Sequence, residues 1–311
     1  MTQMLLTVLL ALALDRFIPD RAGFQVFGWY SDWAESIEQR FNGGIRSQGL
    51  GAVLLAVVPI ILAVLLGRYI FAHLGSTFKV VFDVVILYFC INLYRLGNVA
   101  NDIAENLNAG NTHTAAEQLE ELSGKAPPEI SEQAIARQTI EVVLKQGNAL
   151  VMAPVFWFIM LGPAGAVLQR LSTVLDRLWG HRSKRFVEFG WAAARLNDLL
   201  GWLPARITAL SYAIMGSFED ALHCWRRQAR MWSDINSGPL LASGFGAMHM
   251  SNCEDVGEQD EYENSPTAAR GVIAEAGDVR RVVALLWRVL LFWLAVAILM
   301  SGAHLVGIFA R

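Results

Sequence analysis

The chain has 311 residues, 54% apolar and only 17% charged, with a formal net charge of −3. Soluble domains carry about 25% charged residues, so a mostly wetted surface is excluded, and the near-neutral balance gives no case for nucleic-acid binding. The composition points to an all-α, polytopic integral membrane helical bundle with five to six hydrophobic helices and a soluble helical hairpin.

A helix needs roughly 20 mainly apolar residues to cross the hydrocarbon core. Residues 48–66, 80–93 with their flanks, 149–168 and 282–309 meet that requirement. The run 4–14 is shorter. It lacks a positive n-region and a small-residue cleavage site before Asp15 and Arg16, so it reads as an uncleaved first span. Residues 199–218 contain Pro204 and Arg206 and are open to crossing, re-entering or lying in the interface. The lysine and arginine bias of the loops favours the larger loops as cytoplasmic by a narrow margin.

The expected organisation follows from these runs. Residues 1–95 hold the N-terminal membrane helices, 96–147 the soluble hairpin, and 148–235 membrane helices with a polar block. Residues 236–281 read as a Gly-rich, then acidic flexible loop, and 282–311 as the C-terminal membrane helix. Within the hairpin, Thr114 with Glu117 fits a capping box, Gly124 and the Pro127-Pro128 pair stop that helix, and 131–145 reads as a second helix. The acidic, aromatic-poor EDVGEQDEYENS segment has the composition of a partly disordered loop.

Few chemical motifs emerge. There is no P-loop, and Gly244 with Gly246 follows no strand, so it reads as loop. The histidines have no metal-ligand spacing, and Cys90, Cys224 and Cys253 form neither a zinc framework nor an obvious disulfide set. Asp83, an acid inside an apolar run, lies one turn from Lys79, which suits a local ion pair or a proton relay, while Arg95 is placed to snorkel to the interface.

The polar block from Leu175 to Ser217 differs, because its polar groups recur at helical spacing. Arg195 and Asp198 are i,i+3 neighbours, and Trp191 and Trp202 suit the headgroup level. Two readings stand side by side. One is an interfacial helix locked by salt bridges; the other is a pocket in which Arg195 and Arg206 bind a phosphate or carboxylate.

Several strings in this region resemble the CobD/CbiB membrane proteins and their AmpE-type relatives. They are Thr173-Val174-Leu175-Asp176, Gly180, Arg185, Phe189-Gly190-Trp191, Ala194-Arg195-Leu196-Asn197-Asp198 and Trp202-Leu203-Pro204-Ala205-Arg206. Val151-Met152-Ala153-Pro154-Val155-Phe156 and Asn236-Ser237-Gly238 followed by Gly244 and Gly246 extend the likeness. Asp15 after the first span fits it as well.

The resemblance implies a bacterial inner membrane protein. Biosynthetic members of the family are adenosylcobinamide-phosphate synthases, which join adenosylcobyric acid to an aminopropanol unit by an amide bond, using ATP. Against that pattern, Asn148-Ala149-Leu150, Phe24-Gln25-Val26, Leu240-Leu241 and Asn197 stand where the synthase branch carries other polar residues. Phe156-Trp157, Leu161-Gly162-Pro163-Ala164 and the run 202–222 are similar to the AmpE-type branch.

The expectation is therefore an AmpE-like regulatory or accessory protein, leaning away from catalysis, with the synthase as the alternative. A candidate anion or ligand pocket comprises Arg195, Asp198, Arg206, Trp191, Asn236 and Asp15. No metal or resident cofactor is expected, ATP and Mg²⁺ entering only with the synthase alternative. The expected partners are the lipid bilayer, a small anionic or corrinoid ligand and a second membrane protein.

Overall fold

The computed structural model describes residues 2–18, 22–180, 185–232, 234–250 and 274–305. In chain order the helices are α1 (Thr2–Phe17), α2 (Ala22–Phe41), α3 (Arg46–Leu74), α4 (Ser76–Cys90), α5 (Leu93–Asn108), α6 (Thr112–Ser123) and α7 (Glu132–Gly147). They continue with α8 (Ala153–Leu161), α9 (Pro163–Trp179), α10 (Trp191–Met215), α11 (Phe218–Gln228), α12 (Ser237–Ala247) and α13 (Ala276–Leu305). The expected all-α membrane bundle is what forms.

Two compact units divide the chain. The first is Met1–Asn92 with Ala149–Gly201; the second is Leu93–Asn148 with Trp202–Arg311. In the first, α4 packs on α1 and α3, and α9 packs on α2, α3, α4 and α8. In the second, α13 lies against α5 and α7, α6 joins them, and α12 packs on α11 and α7.

Four helical runs are long and apolar enough to cross a membrane: Arg46–Leu74, Ser76–Asn108, Glu132–Leu161 and Ala276–Gly302. The physical pattern is clearest in α3. Its buried stripe is Gly49, Ala52, Val53, Ala56, Val57 and Val64, small residues that let neighbouring helices approach. Leu54, Leu62 and Leu66 on the other side are more than half exposed. Water would penalise such a face; lipid tails do not.

The breaks between helices have local causes. Gly75 has φ 135° and separates α3 from α4. The apolar run expected to cross at 149–168 is interrupted, because Gly162 has φ 72° and Pro163 follows it. Its first part instead continues α7 through a π-turn at Asn148–Met152 into α8. The second arm of the expected hairpin is thus continuous with an apolar helix.

Within α10, Pro204 has no N–H to offer the Leu200 carbonyl four residues earlier. The Trp157 indole donates to that oxygen at 2.9 Å instead. α10 is not among the four runs that qualify as spans.

Several expectations need correcting. Asn111, not Thr114, is the residue before α6, so Thr114 lies inside the helix. The Gly124 stop holds, at φ 75°, and the Ser131 hydroxyl caps α7 by accepting from the Ala134 N–H. Gly244 and Gly246 do not sit in a loop. They belong to α12, which is buried along its length, and a Cβ at Gly244 would run into Leu144. Small residues that suggest a wet loop act here as packing positions.

Asp83 pairs with Arg68 of α3 rather than with Lys79, in a two-pronged contact of 3.1 and 3.4 Å. Arg95 reaches the Glu121 carboxylate at 2.9 Å. Cys90 is buried and free. The acidic segment lies outside the described residues.

Candidate functional site

The signature residues of the first unit divide into packing and polar groups. Phe189 is fully buried with its ring 5.2 Å from that of Trp179. A Cβ on Gly190 would land on the Trp179 carbonyl, and one on Gly49 would land on the Phe189 carbonyl. Phe189-Gly190 is therefore a close-contact element: only hydrogen fits at both glycines.

The polar groups converge between α9 and the start of α10. Asn197 donates from Nδ2 to Asp176 Oδ2 at 3.0 Å. The Ser172 and Thr173 hydroxyls stand 3.5 and 3.4 Å from Asn197 Oδ1, long contacts that complete the cluster. A Cβ on Gly180 would collide with Asp176 Oδ1, so the glycine leaves room for the carboxylate's position. Thr173, Asp176 and Asn197 are half-buried, which leaves them reachable.

One turn away, α9 buries Arg170 at 8% exposure, with its guanidinium 4.9 Å from the Phe27 ring centroid. Burial lowers its pKa to about 10, so the charge persists at neutral pH. Its Nε has no hydrogen-bond partner among the described residues.

Arg185 closes the chain segment before α10 onto α2. Its Nη2 and Nε donate to the Glu38 carboxylate at 2.7 and 3.0 Å. Burial pushes the Glu38 carboxyl up, but the hydrogen bonds from Arg185 and Asn42 and the Arg185 charge outweigh it, holding the group below the usual carboxylate range.

Of the expected pocket residues, Trp191, Arg195, Asp198 and Asp15 fall in the first unit, and Arg206 and Asn236 in the second. Arg195 and Asp198 form the i,i+3 pair, Nη1 to Oδ2 at 3.6 Å. Trp191 is 41% exposed and lies under the Arg46 guanidinium at 5.4 Å, and Arg46 in turn pairs with Glu188 at 2.6 Å. Asp15 is buried in the last turn of α1.

Arg206 and Asn236 are brought together. Arg206 Nη1 donates to Asn236 Oδ1 at 3.3 Å and to the Trp202 carbonyl at 2.8 Å, while Nη2 reaches the Ile235 carbonyl at 3.4 Å. Its guanidinium also lies 4.3 Å from the Trp202 ring centroid. Arg206 borders a cavity of about 690 Å³ that Arg226 and Arg230 also line.

The Asp176–Asn197 link and Arg170 were not among the expected site residues. Asp176 and Asn197 are separated by 21 positions, so local spacing could not pair them. Arg170 sits in an amphipathic helix, where an arginine ordinarily marks the wet face.

A family profile described as CobD/Cbib protein matches residues 8–286. The chain is 36% identical to the cobalamin biosynthesis protein CobD of Stutzerimonas stutzeri, over 94% of this chain and 96% of that one. It is 35% identical to the protein of the same name from Chromobacterium violaceum, over 84% and 83% of the two chains. Against the Brucella suis protein the identity is 27% over 98% of both. No solved structure matches the chain. These relatives overturn the AmpE-like, regulatory expectation, since they carry names of cobalamin biosynthesis and nothing in the likeness favours the AmpE branch. Counting replaced polar residues misled that expectation: polar positions can change one by one while the surrounding scaffold stays homologous.

Proposed function

Because the chain belongs to the CobD/CbiB protein family, we propose that it acts in cobalamin biosynthesis as an adenosylcobinamide-phosphate synthase. In this role it is an ATP-using, multi-pass enzyme of the bacterial inner membrane. The observation that carries the reading is the 36% identity along nearly the whole chain to a cobalamin biosynthesis protein.

The chemistry sets clear demands. A carboxylate is a poor electrophile, so its oxygen first attacks the γ-phosphorus of ATP, releasing ADP and leaving an acyl phosphate. The amine nitrogen then attacks the acyl carbon. The C–N bond forms, phosphate leaves with the C–O electron pair, and one N–H proton must go to a base. We assign that proton to Asp176, whose carboxylate is half-buried and oriented by the Asn197 amide at 3.0 Å.

Among the described residues no three of His, Cys, Asp or Glu converge to hold a metal ion. The described protein groups therefore do not fit a Mg²⁺ cage of their own.

The test is complementation of a strain lacking its cobinamide-phosphate synthase, supplied with the corrinoid precursor. Growth is expected, and Asp176→Asn should lower the synthase rate by about a hundredfold or more, the usual worth of a positioned base. Absence of growth with the protein present in the membrane at the level of a working homologue would overturn the reading. If Asp176→Asn supports growth and rate like the unaltered chain, the base lies elsewhere.

A further inference from the structure

The cavity beside Arg206 has a composition that the synthase reading does not use. It measures about 690 Å³ and is lined by Arg206, Arg226, Arg230, Trp225, Trp232 and Pro239, with no carboxylate among the described residues of its wall. That volume lies within the roughly 300–1,000 Å³ of small-molecule sites and far exceeds what one phosphate fills.

The three guanidiniums differ in how they are held. Arg206 is pinned by the Trp202 and Ile235 carbonyls and by Asn236, so its charge is fixed in place at no further ordering cost. Arg226 and Arg230 are exposed and, among the described residues, make no ion pair or hydrogen bond. They are four positions apart, a spacing at which like charges repel.

The dipole of α11 accounts for a basic last turn, which holds Arg226 and Arg227. It does not account for Arg206, which comes from α10, nor for a wall whose described residues include no acid. Three guanidiniums without an ion-pair partner among the described residues focus a positive field on the interior of a concave wall, and arginine forks match phosphoryl oxygens. The two indoles supply flat apolar surface for the rest of a ligand.

We propose that this cavity binds a phosphorylated ligand with a planar or apolar body, its phosphoryl oxygens on Arg226, Arg230 and Arg206 and its body against Trp225 and Trp232. The site follows from the charges and shape of the wall. Identifying its ligand with the nucleotide of the synthase rests on the reading above and is tested separately.

The experiment is equilibrium dialysis of the full-length protein in lipid-free detergent micelles, with radiolabelled pyrophosphate and ATP as probes. The unaltered chain should retain both. Arg226→Gln with Arg230→Gln should weaken both by about tenfold or more. Trp232→Leu should weaken ATP while leaving pyrophosphate unchanged, and Arg227→Gln, adjacent but not lining the cavity, should change neither. Thermal melting of each variant separates lost binding from lost fold.

Repeating the ATP titration in phosphatidylglycerol and in phosphatidylcholine nanodiscs identifies the source of the phosphate. Displacement of ATP by the anionic lipid alone assigns the site to a lipid headgroup; retention in both assigns it to a soluble ligand. Either result supports the site. Equal affinities in the unaltered and doubly substituted chains, or no retention of either probe at millimolar concentration, overturns it. Probe binding lost only in the doubly substituted chain, with its complementation intact, leaves the phosphate site standing and separates it from the synthase; lost complementation by the unaltered chain with probe binding intact overturns the synthase alone.

Discussion

At the scale of single residues, the signature strings carry two kinds of information that look alike in sequence. Gly190 is demanded by the Trp179 carbonyl against which it lies, whereas Asp176 and Asn197 are reachable polar groups. Gly190→Ala should therefore cost stability, by about 1–3 kcal/mol if the backbone yields as in other overpacked cores. The check is a fall in the detergent melting temperature with little change in rate per folded molecule.

Glu38 supplies a pH test. Its folded carboxyl lies below its ordinary range, so its contribution is present above the unfolded value and is lost as pH falls through the folded one. Glu38→Gln should lower the melting temperature at neutral pH, and the gap to the unaltered chain should close on acidification through the carboxylate range. A gap that stays constant with pH would mean that packing rather than charge holds Arg185.

At the scale of helices, the sequence announces most of the spans and hides most of the joints. Runs of leucine and valine identify α3 and α13 because composition alone decides whether a helix suits lipid. The Gly162-Pro163 break is written in the residues but is masked by apolar neighbours on both sides. α12 stays hidden for a different reason: glycine and serine suggest a loop in water, and only the partner helices turn them into contacts. The Arg195–Asp198 pair was legible because it is local, and the Asp176–Asn197 link was not because two helices must meet first.

The repair at Pro204 gives a prediction for this scale. Trp157→Phe keeps the ring but removes the donor to the Leu200 carbonyl. An unpaired backbone oxygen should cost about 1–3 kcal/mol, read as lower thermal stability and faster hydrogen exchange in the middle of α10. Exchange rates equal to those of the unaltered chain would show that another donor takes over.

For the whole molecule, the distribution of apolar surface is the governing fact. Leu62 and Leu66 of α3 are 59% and 60% exposed, and Leu299 of α13 is 72% exposed, while Ala52 and Ala56 are essentially sealed. A photoactivatable diazirine lipid should accordingly label the peptides around Leu62, Leu66 and Leu299, with adducts absent from Ala52 and Ala56. Adducts on both faces of α3 would contradict the packing described for the first unit.

The Arg68–Asp83 contact has a bearing on how the protein is made. A lone arginine or aspartate in an inserting helix costs up to about 2.5–3.5 kcal/mol, the value at the helix centre, and the two stand on successive helices about two turns either side of the joint at Gly75. As each charge neutralises the other, α3 and α4 enter the bilayer more cheaply as a joined hairpin than one after the other. Biogenesis of the first unit should thus begin with a paired insertion event, with the ion pair as its latch.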